Sequence, residues 1–232
     1  MPKILVGCPT ADHYRYCTDN WINAVKSLSY KDFDILLVDN SATIDYFNEF
    51  SKKVPMLKTS RIENLKELIA RDRNLLREKV LNENYDYLLS LEIDVIPPAD
   101  LIERLLSHKK EIISGVYYKP YNLTVKQYGK LVKSTKTILP LLWRSVDKET
   151  VRQLTSSEVE DPKLIEVAIS GLGCLLIHRS ALEKIKFRVN LKESPACDDV
   201  WFCHDVKKLG YKIYADTSIK CKHLLKGKKI DF

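Results

Sequence analysis

The sequence predicts an α/β fold with a mostly parallel central sheet flanked by helices. Short apolar runs that indicate buried strands alternate along the chain with segments of helical periodicity. The first two runs, Ile4 to Gly7 and Asp34 to Val38, enclose a helical pattern over Asn20 to Leu28. A strand, a helix and a second strand in this order favour parallel pairing.

Length and composition predict one domain over residues 1–232. The chain is 45% hydrophobic, which suffices for one sizeable core, and no shift in composition marks a second domain. The longest apolar runs are far shorter than the roughly 20 residues of a membrane-spanning helix. The first residues enter a strand-like run without the features of a secretion signal, so we expect a cytoplasmic protein with its six cysteines as thiols in the core.

The net charge of +7 is moderate, and the lysines cluster only near the end of the chain. Such a cluster is typical of a solvated surface, or of one that attracts diphosphate, acidic lipid headgroups or nucleic acid. We favour the solvated surface, expect no nucleic-acid partner, and keep peripheral contact with a membrane as a possibility. The cluster consists of Lys220, Lys222, Lys226, Lys228 and Lys229.

The next two elements are a long helix and a strand that ends in acidic residues. The helix is predicted over Asn64 to Val80, and its periodicity puts Arg71, Arg73 and Asn74 outside the apolar stripe, where charges usually face solvent. The strand is Tyr87 to Leu91.

Glu92 and Asp94 follow that strand and flank Ile93. If the strand geometry continues, the two carboxylates point to one side and Ile93 points into the protein. Two carboxylates on one side suit Mg²⁺ or Mn²⁺ together with phosphate oxygens. The alternative is that the acidic pair merely begins a loop or caps the following helix.

The middle of the chain is less regular. A helix over Asp100 to His108 and a strand over Glu111 to Tyr117 are followed by Lys119 to Lys163, which has no sustained period and is predicted to form loops. Within the next apolar segment, Gly171 and Gly173 indicate a backbone bend or the close approach of a ligand.

A helix predicted over Asp198 to Leu209, closed by Gly210, begins with two aspartates. Asp199 is expected to face inward with the apolar stripe, where a carboxylate can remove a proton from a hydroxyl nucleophile. Asp198 then caps the helix or bonds the molecule that carries this hydroxyl. Trp201 falls outside the stripe, which fits a sugar-stacking surface or packing against a loop.

His223 lies on the inward side of a predicted terminal strand, in phase with Ile219 and Cys221. An inward histidine is often a hydrogen-bonded core residue, but neutral imidazole is also a competent third ligand beside two carboxylates. A zinc site built from Cys197, Cys203, Cys221 and His223 is disfavoured because close cysteine pairs are missing.

Taken in order, these segments resemble the glycosyltransferases of the GT-A fold, particularly family two. The motifs that carry the resemblance are Val6 to Thr10, Leu37 to Ser41, Arg73-Asn74, Leu89 to Asp94, Gly171 to Ile177, Asp198 to Phe202, Leu209 to Asp216, and His223. The resemblance implies a single-domain, Rossmann-like GT-A fold, with residues 1–115 binding the nucleotide-sugar and residues 116–232 carrying the acceptor side and catalysis.

The resemblance also implies a reaction. A hexose passes from a UDP- or GDP-sugar to a hydroxyl acceptor such as a glycan, a lipid-linked sugar or a protein, with Mn²⁺ or Mg²⁺ on the diphosphate and inversion at the sugar carbon. The implied donor-binding residues are Pro9, Thr10, Asp39, Arg73, Glu92 and Gly171. The implied metal ligands are Asp94, His223 and Glu92, and Asp199 is the implied base, with Asp198 as its substitute.

Two other classes share the expected sheet. A sugar-nucleotide-forming nucleotidyltransferase needs a glycine-rich loop with a lysine after the first strand, and Gly7 to His13 contains no such loop. A binding protein that kept the fold without activity is the second alternative, because fold alone does not fix function. A dehydrogenase or methyltransferase is disfavoured by the absence of a Gly-x-Gly turn.

Overall fold

Alternating strands and helices build the molecule, and the computed structural model describes residues 1–127, 130–147 and 150–226. The helices are α1 Arg15–Lys26, α2 Asp45–Phe50, α3 Leu65–Asn82, α4 Leu101–Ser107, α5 Arg179–Lys184 and α6 Asp198–Lys208. The strands are β1 Ile4–Thr10, β2 Phe33–Asp39, β3 Met56–Lys58, β4 Tyr87–Leu91, β5 Val95–Ile96, β6 Ile112–Val116, β7 Tyr118–Gln127, β8 Lys130–Pro140, β9 Leu142–Ser145, β10 Val151–Gln153, β11 Leu164–Val167, β12 Ile169–Ser170, β13 Cys174–His178, β14 Ile213–Lys220 and β15 Lys222–His223.

The central sheet has eight strands in the order β11-β14-β6-β13-β4-β1-β2-β3. Strand β1 pairs in parallel with β2 and β4, and β14 pairs in parallel with β6. Only β13 and β11 among these eight run antiparallel to their neighbours. The predicted α/β fold with a mostly parallel sheet is confirmed.

Helices cover both faces of this sheet. On one face, Trp21 of α1, Phe50 of α2 and Leu105 of α4 join one buried cluster. On the other, Leu76 of α3 and Phe202 of α6 join a second. Within β1, side chains alternate between the two clusters, as the two-residue period of a strand requires.

Helix α3 begins where its sequence signals a cap. The Asn64 side chain accepts hydrogen bonds from the backbone amides of Lys66 and Glu67. The prediction that Arg73 lies on the solvent side of this helix is wrong, because its exposed fraction is 3%. The β-sheet and helices α5 and α6 lie against α3, so a side that periodicity marks as polar is covered by tertiary packing.

Much of the described part of residues 119–163 forms strands, where the sequence predicted loops. Strands β7 and β8 pair as a long antiparallel hairpin, and β9 pairs with β10 and β12 in a small sheet. Pairing between strands distant in sequence satisfies their backbone groups, and single-segment periodicity does not reveal such pairing. Residues 128–129 and 148–149 of the predicted segment lie outside the described residues.

The last third of the chain ends differently from the prediction. Strand β14, Ile213–Lys220, ends before His223, which lies instead on the short β15, and β15 pairs with β5 near the acidic motif. Gly210 follows α6 with φ of 83°, which confirms its role at the helix end. Lys228 and Lys229 of the basic cluster lie outside the described residues.

Five of the six cysteines are buried, and Cys197 is exposed. In the part of the chain that the structure describes, no helix combines the length and the apolar character needed to cross a bilayer.

Candidate active site

The carboxyl ends of β1, β2 and β4 meet at one edge of the sheet, because β1 pairs in parallel with both neighbours. The amide of Asn40 donates to the carbonyl of Thr10 over 3.0 Å and joins the first two loops. A cavity of about 290 Å³ opens at this edge. Its lining includes four of the predicted donor-binding residues, namely Pro9, Thr10, Arg73 and Glu92. This is the edge at which open parallel sheets bind ligands.

Asp39, also predicted to bind the donor, lies beneath the cavity and is fully buried. Its Oδ1 accepts hydrogen bonds from the Ser41 amide and hydroxyl, at 2.8 and 2.5 Å. Its Oδ2 has no hydrogen-bond partner among the described residues, and Lys58 Nζ lies 3.4 Å away. The neighbouring Asn40 lines the cavity in its place.

The acidic motif turns away from β4 immediately after Leu91. The amide of Val95 donates to the carbonyl of Glu92 over 2.8 Å, which closes a turn over residues 92–95. The expected continuation of the strand is therefore wrong. The expected inward position of Ile93 is confirmed, since its exposed fraction is 1%.

Arg73 connects α3 to three parts of the site. Its Nε donates to Asp198 Oδ2 at 2.8 Å, its guanidinium donates to Ser90 Oγ at 2.7 Å, and it lies 3.5 Å from Glu92 Oε1. Burial opposes the charge of Arg73, but attraction to Asp198 and Glu92 outweighs it and raises the arginine pKa. Arg73 thus holds protein carboxylates together near the cavity.

Asp94 and His223, the two principal predicted metal ligands, contact each other. Strand β15 pairs antiparallel with β5, which puts His223 opposite Val95, and the amide of Leu224 donates to the carbonyl of Asp94 over 2.7 Å. The His223 Nδ1 donates to the carbonyl of Tyr118 at 2.7 Å. Its Nε2 lies 3.1 Å from Asp94 Oδ2. Each side chain has about a tenth of its surface exposed.

The Asp94–His223 contact requires a positive charge. In neutral His223 the proton is on Nδ1, so the lone pair of Nε2 faces the carboxylate of Asp94. Because these two electron-rich groups repel each other, either a second proton or a cation must lie between them. Burial lowers the pKa of His223, but the hydrogen bond and attraction to Asp94 raise it further, so the net pKa is raised. A metal-binding histidine usually donates one ring N–H to a carbonyl, as His223 Nδ1 does, and uses the other nitrogen as the metal ligand.

Glu92 lies in a concentration of negative charge. Partial burial raises the pKa of Glu92, Arg73 lowers it, and Asp94, Asp199 and Asp198 raise it further, so the net pKa is raised. Its side chain is nevertheless 37% accessible, so a ligand in the cavity can reach it. An excess of carboxylates in one place favours the binding of a cation.

The burial and the capping roles of the two aspartates at the start of α6 differ from the prediction. Cys197 is the N-cap residue and makes no capping hydrogen bond through its side chain. Asp198, expected to be the cap, is buried against Arg73, whereas Asp199, expected to face inward, is only half-buried. Periodicity failed here because a buried ion pair draws a charged residue into the core.

Asp199 has the properties of a general base. Burial and the neighbouring Asp198 raise its pKa, although a hydrogen bond from the Val200 amide opposes the rise. It forms no ion pair with any residue that the structure describes. A raised pKa and an uncommitted carboxylate suit proton removal near neutral pH.

The donor atoms here fit Mn²⁺ or Mg²⁺. Carboxylate oxygens and an imidazole nitrogen are suitable ligands, and adjacent ligands about 2.1 Å from an octahedral Mg²⁺ lie about 3.0 Å apart. The observed 3.1 Å between His223 Nε2 and Asp94 Oδ2 is close to that spacing. Within the described residues, no group of three His, Cys, Asp or Glu side chains is gathered closely enough to hold a metal alone.

Tyr117 explains the two glycines. A Cβ atom at Gly171 would lie 2.1 Å from the Tyr117 hydroxyl, and one at Gly173 would lie 2.5 Å from Tyr117 Cζ. A side chain of the protein therefore occupies the space that the sequence left open to a ligand. Gly171 is not among the described residues that line the cavity.

Trp201 is buried, with an exposed fraction of 5%, and does not form the sugar-stacking surface that the sequence allowed. The Arg188 guanidinium covers its ring at 4.3 Å, and Arg188 in turn bonds Asp205 through two nitrogens. Packing against a loop, the other expectation, is confirmed.

Sequence reasoning named Asn40 within the Leu37 to Ser41 motif but assigned no role to the cavity residues Ala11, His13, Tyr14 and Arg61. Arg61 is exposed and has no hydrogen bond or ion pair with a described residue. It precedes α3 outside any periodic segment, so no pattern marked it. Asn40 follows β2 directly, and its position at a strand end was the available signal.

Comparison with solved structures identifies the fold class. The protein is similar to GalNAc-T7, a glycosyltransferase of the GT-A fold solved with UDP, GalNAc and Mn²⁺, with a TM-score of 0.67 and 12% identity over 97% of this chain. It covers 44% of the GalNAc-T7 chain. It is also similar to A197 from STIV, with a TM-score of 0.51 and 19% identity, over 97% of this chain and 86% of that one.

The protein therefore has a GT-A-like, glycosyltransferase-like fold. At these identities the similarity shows the fold alone. No protein-family model matches the sequence, and no curated protein matches it.

Proposed function

We propose that this protein is a metal-dependent glycosyltransferase. It transfers a hexose from a UDP- or GDP-sugar to a hydroxyl-bearing acceptor such as a glycan, a lipid-linked sugar or a protein. The proposal rests on the contact between Asp94 Oδ2 and His223 Nε2, which lie 3.1 Å apart at this edge of the sheet. Glu92, at the start of the same acidic turn, lines the cavity.

The donor binds in the 290 Å³ cavity. Leu65, Leu68 and Ile69 give it an apolar wall for the nucleoside, and Thr10 and Asn40 supply polar groups at the strand ends. Arg61, with no partner among the described residues, faces the diphosphate. Asp39 acts from below by fixing the loop that carries Asn40. Arg73, whose donors contact Ser90, Glu92 and Asp198, orients the acidic side chains.

Asp94 and His223 hold the metal, and Glu92 binds it through water or contacts the donor's ribose. A bound Mn²⁺ or Mg²⁺ neutralises the charge that develops on the diphosphate leaving group. The hydrogen bond from His223 Nδ1 to Tyr118 fixes the ring so that Nε2 faces this site. The acidic side chains therefore surround the sugar end of the donor.

Asp199 accepts the acceptor's proton. The acceptor oxygen forms a bond to the anomeric carbon while the bond from that carbon to the diphosphate oxygen breaks, and the hydroxyl proton moves to Asp199. Direct displacement inverts the sugar carbon. Asp198 pairs with Arg73 at 2.8 Å and sets the position of the α6 N-terminus.

The proposed donor-binding and acceptor-binding residues come from different parts of the sequence. All the described residues that line the cavity lie between positions 9 and 93, within the segment proposed to bind the donor, residues 1–115. Asp199, His223 and the β7–β8 hairpin belong to the segment proposed to bind the acceptor, residues 116–232. The hairpin begins beside His223. The basic cluster near the end of the chain makes an acidic membrane surface a further proposed contact.

Donor hydrolysis and transfer, measured with a panel of UDP- and GDP-sugars with Mn²⁺ or with EDTA, test this function. The expected result is Mn²⁺-dependent hydrolysis of one donor class, lost in Asp94→Asn. Nucleotide-sugar binding without turnover on any acceptor would indicate the inactive binding protein. Formation of a nucleotide sugar from a nucleoside triphosphate would indicate the nucleotidyltransferase.

A further inference from the structure

We propose that Tyr117 is a positioning residue of this site, an inference that rests on the proposed function. Its phenol sets the backbone of Glu92 through Gly173, and its ring supports the imidazole of His223. The residue lies between β6 and β7 and has an exposed fraction of 4%. It therefore acts on the metal-binding side chains from behind, without touching the substrate.

Two consecutive hydrogen bonds connect Tyr117 to the acidic turn. The Gly173 amide donates to the Tyr117 hydroxyl at 2.9 Å, and the Glu92 amide donates to the Gly173 carbonyl at 3.0 Å. The Ser90 hydroxyl donates to the Leu172 carbonyl at 2.6 Å. The Gly171–Gly173 turn is thus fixed on one side by β4 and on the other by the phenol.

The same ring contacts His223. The two ring centroids are 5.6 Å apart with planes at 78°, an edge-to-face contact. The hydrogen bond from His223 Nδ1 to the Tyr118 carbonyl orients the imidazole along one direction, and Tyr117 restricts its tilt along another. Together they hold Nε2 at Asp94.

The glycines show how tightly the phenol is enclosed. A Cβ at Gly171 would approach the hydroxyl to 2.1 Å, and the next nearest atom, Tyr117 Cζ, is 3.1 Å away. Removing only the hydroxyl would therefore relieve the severe clash at position 171 and leave a tight contact with the ring at 3.1 Å. At Gly173 a Cβ would also meet ring carbons at 2.5 and 2.7 Å, so the same removal gives no such relief.

Tyr117→Phe tests the positioning role. Loss of a supporting contact behind metal ligands typically costs about 10- to 100-fold in metal affinity. We expect the Mn²⁺ dissociation constant, measured with UDP present, to rise about 10-fold, while the donor KM at saturating Mn²⁺ changes less than about twofold. Tyr211→Phe is the matched control, because it removes a buried tyrosine hydroxyl bonded to the Ser180 carbonyl at 3.0 Å, far from the acidic turn.

Unchanged Mn²⁺ affinity in Tyr117→Phe, with the parent binding Mn²⁺, would overturn the positioning role and leave the proposed function intact. A parent protein that binds no Mn²⁺ in the presence of UDP would overturn both.

A thermal-unfolding cycle tests the packing itself. Gly171→Ala in the parent is expected to lower Tm by several degrees, because the added methyl group overpacks a site that the phenol already fills. In the Tyr117→Phe background the same substitution is expected to cost clearly less, whereas Gly173→Ala is expected to stay costly. Equal losses from Gly171→Ala in both backgrounds would contradict the proposed enclosure of the phenol.

Discussion

Arg73 Nε and Asp198 Oδ2 lie 2.8 Å apart in the interior, where α3 meets the start of α6. The exposed fractions of the two side chains are 3% and 8%, so water solvates neither charge to a large extent. The pair fixes the first turn of α6 and with it the neighbouring Asp199. A buried ion pair thus supports the proposed base without taking part in proton transfer.

Asp198→Asn is expected to destabilise the protein by about 3–5 kcal/mol, because it leaves the Arg73 charge buried with a weaker partner. Urea unfolding at neutral pH measures the change. Asp19→Asn removes an exposed carboxylate paired with Lys53 and serves as the control, with an expected change within about 0.5 kcal/mol. Equal stability of Asp198→Asn and the parent would show that the buried pair contributes nothing.

Asp199→Asn is expected to give the opposite pattern. The half-buried side chain has no cation partner among the described residues, so unfolding should change by less than about 1 kcal/mol. Transfer should fall about 10²- to 10⁴-fold in kcat, because the amide cannot accept the proton. Full transfer by this variant would move the base elsewhere, and Asp198 would be tested next.

Arg61→Gln is expected to weaken donor binding. A cation with no described partner on the cavity wall gains its interaction only when the diphosphate arrives, so the donor KM should rise about 10-fold with a smaller change in kcat. The rise should shrink as salt increases. Lys52→Gln, which removes an exposed cation away from the cavity, is the control, and equal effects of the two substitutions would exclude a specific role for Arg61.

Asp216 provides a pH-dependent contribution to stability. Burial raises its pKa, but hydrogen bonds from Ser218 and His108 lower it further, so the net pKa is lowered. A lowered pKa in the folded state stabilises the protein above the unfolded pKa of about 3.9, and this contribution is lost as pH falls through the folded pKa. The parent should exceed Asp216→Asn in unfolding free energy at pH 7 by about 1–3 kcal/mol, and the difference should shrink below pH 4. A difference independent of pH would contradict this role of Asp216.

The sequence predicted the parts of the fold that local patterns control. Buried strands such as Tyr87–Leu91 agree in full with the prediction, and Asn64 and Gly210 mark the helix ends that their residue types favour. Apolar content and end signals are local properties, so one segment at a time is sufficient to recognise them.

The errors occur where distant segments meet. The β7–β8 hairpin is held by cross-strand pairing, and no period in a single strand predicts its partner. Arg73 and Asp198 are drawn inside by each other, against the polar character that periodicity assigned to Arg73. Tyr117 contacts Gly171 and Gly173, which lie more than fifty positions away in the sequence, so no local pattern predicts this contact. Long-range compensation of this kind cannot be seen in local sequence.

Calorimetric titration of UDP into the protein, with and without Mn²⁺, tests the central claim that Asp94 and His223 hold a metal for the donor diphosphate. We predict that Mn²⁺ strengthens UDP binding by about 10-fold or more in the parent and in Asp100→Asn, an exposed acidic control, but not in Asp94→Asn. UDP binding of equal strength with and without Mn²⁺ in the parent, or Mn²⁺ enhancement that persists in Asp94→Asn, would contradict the claim.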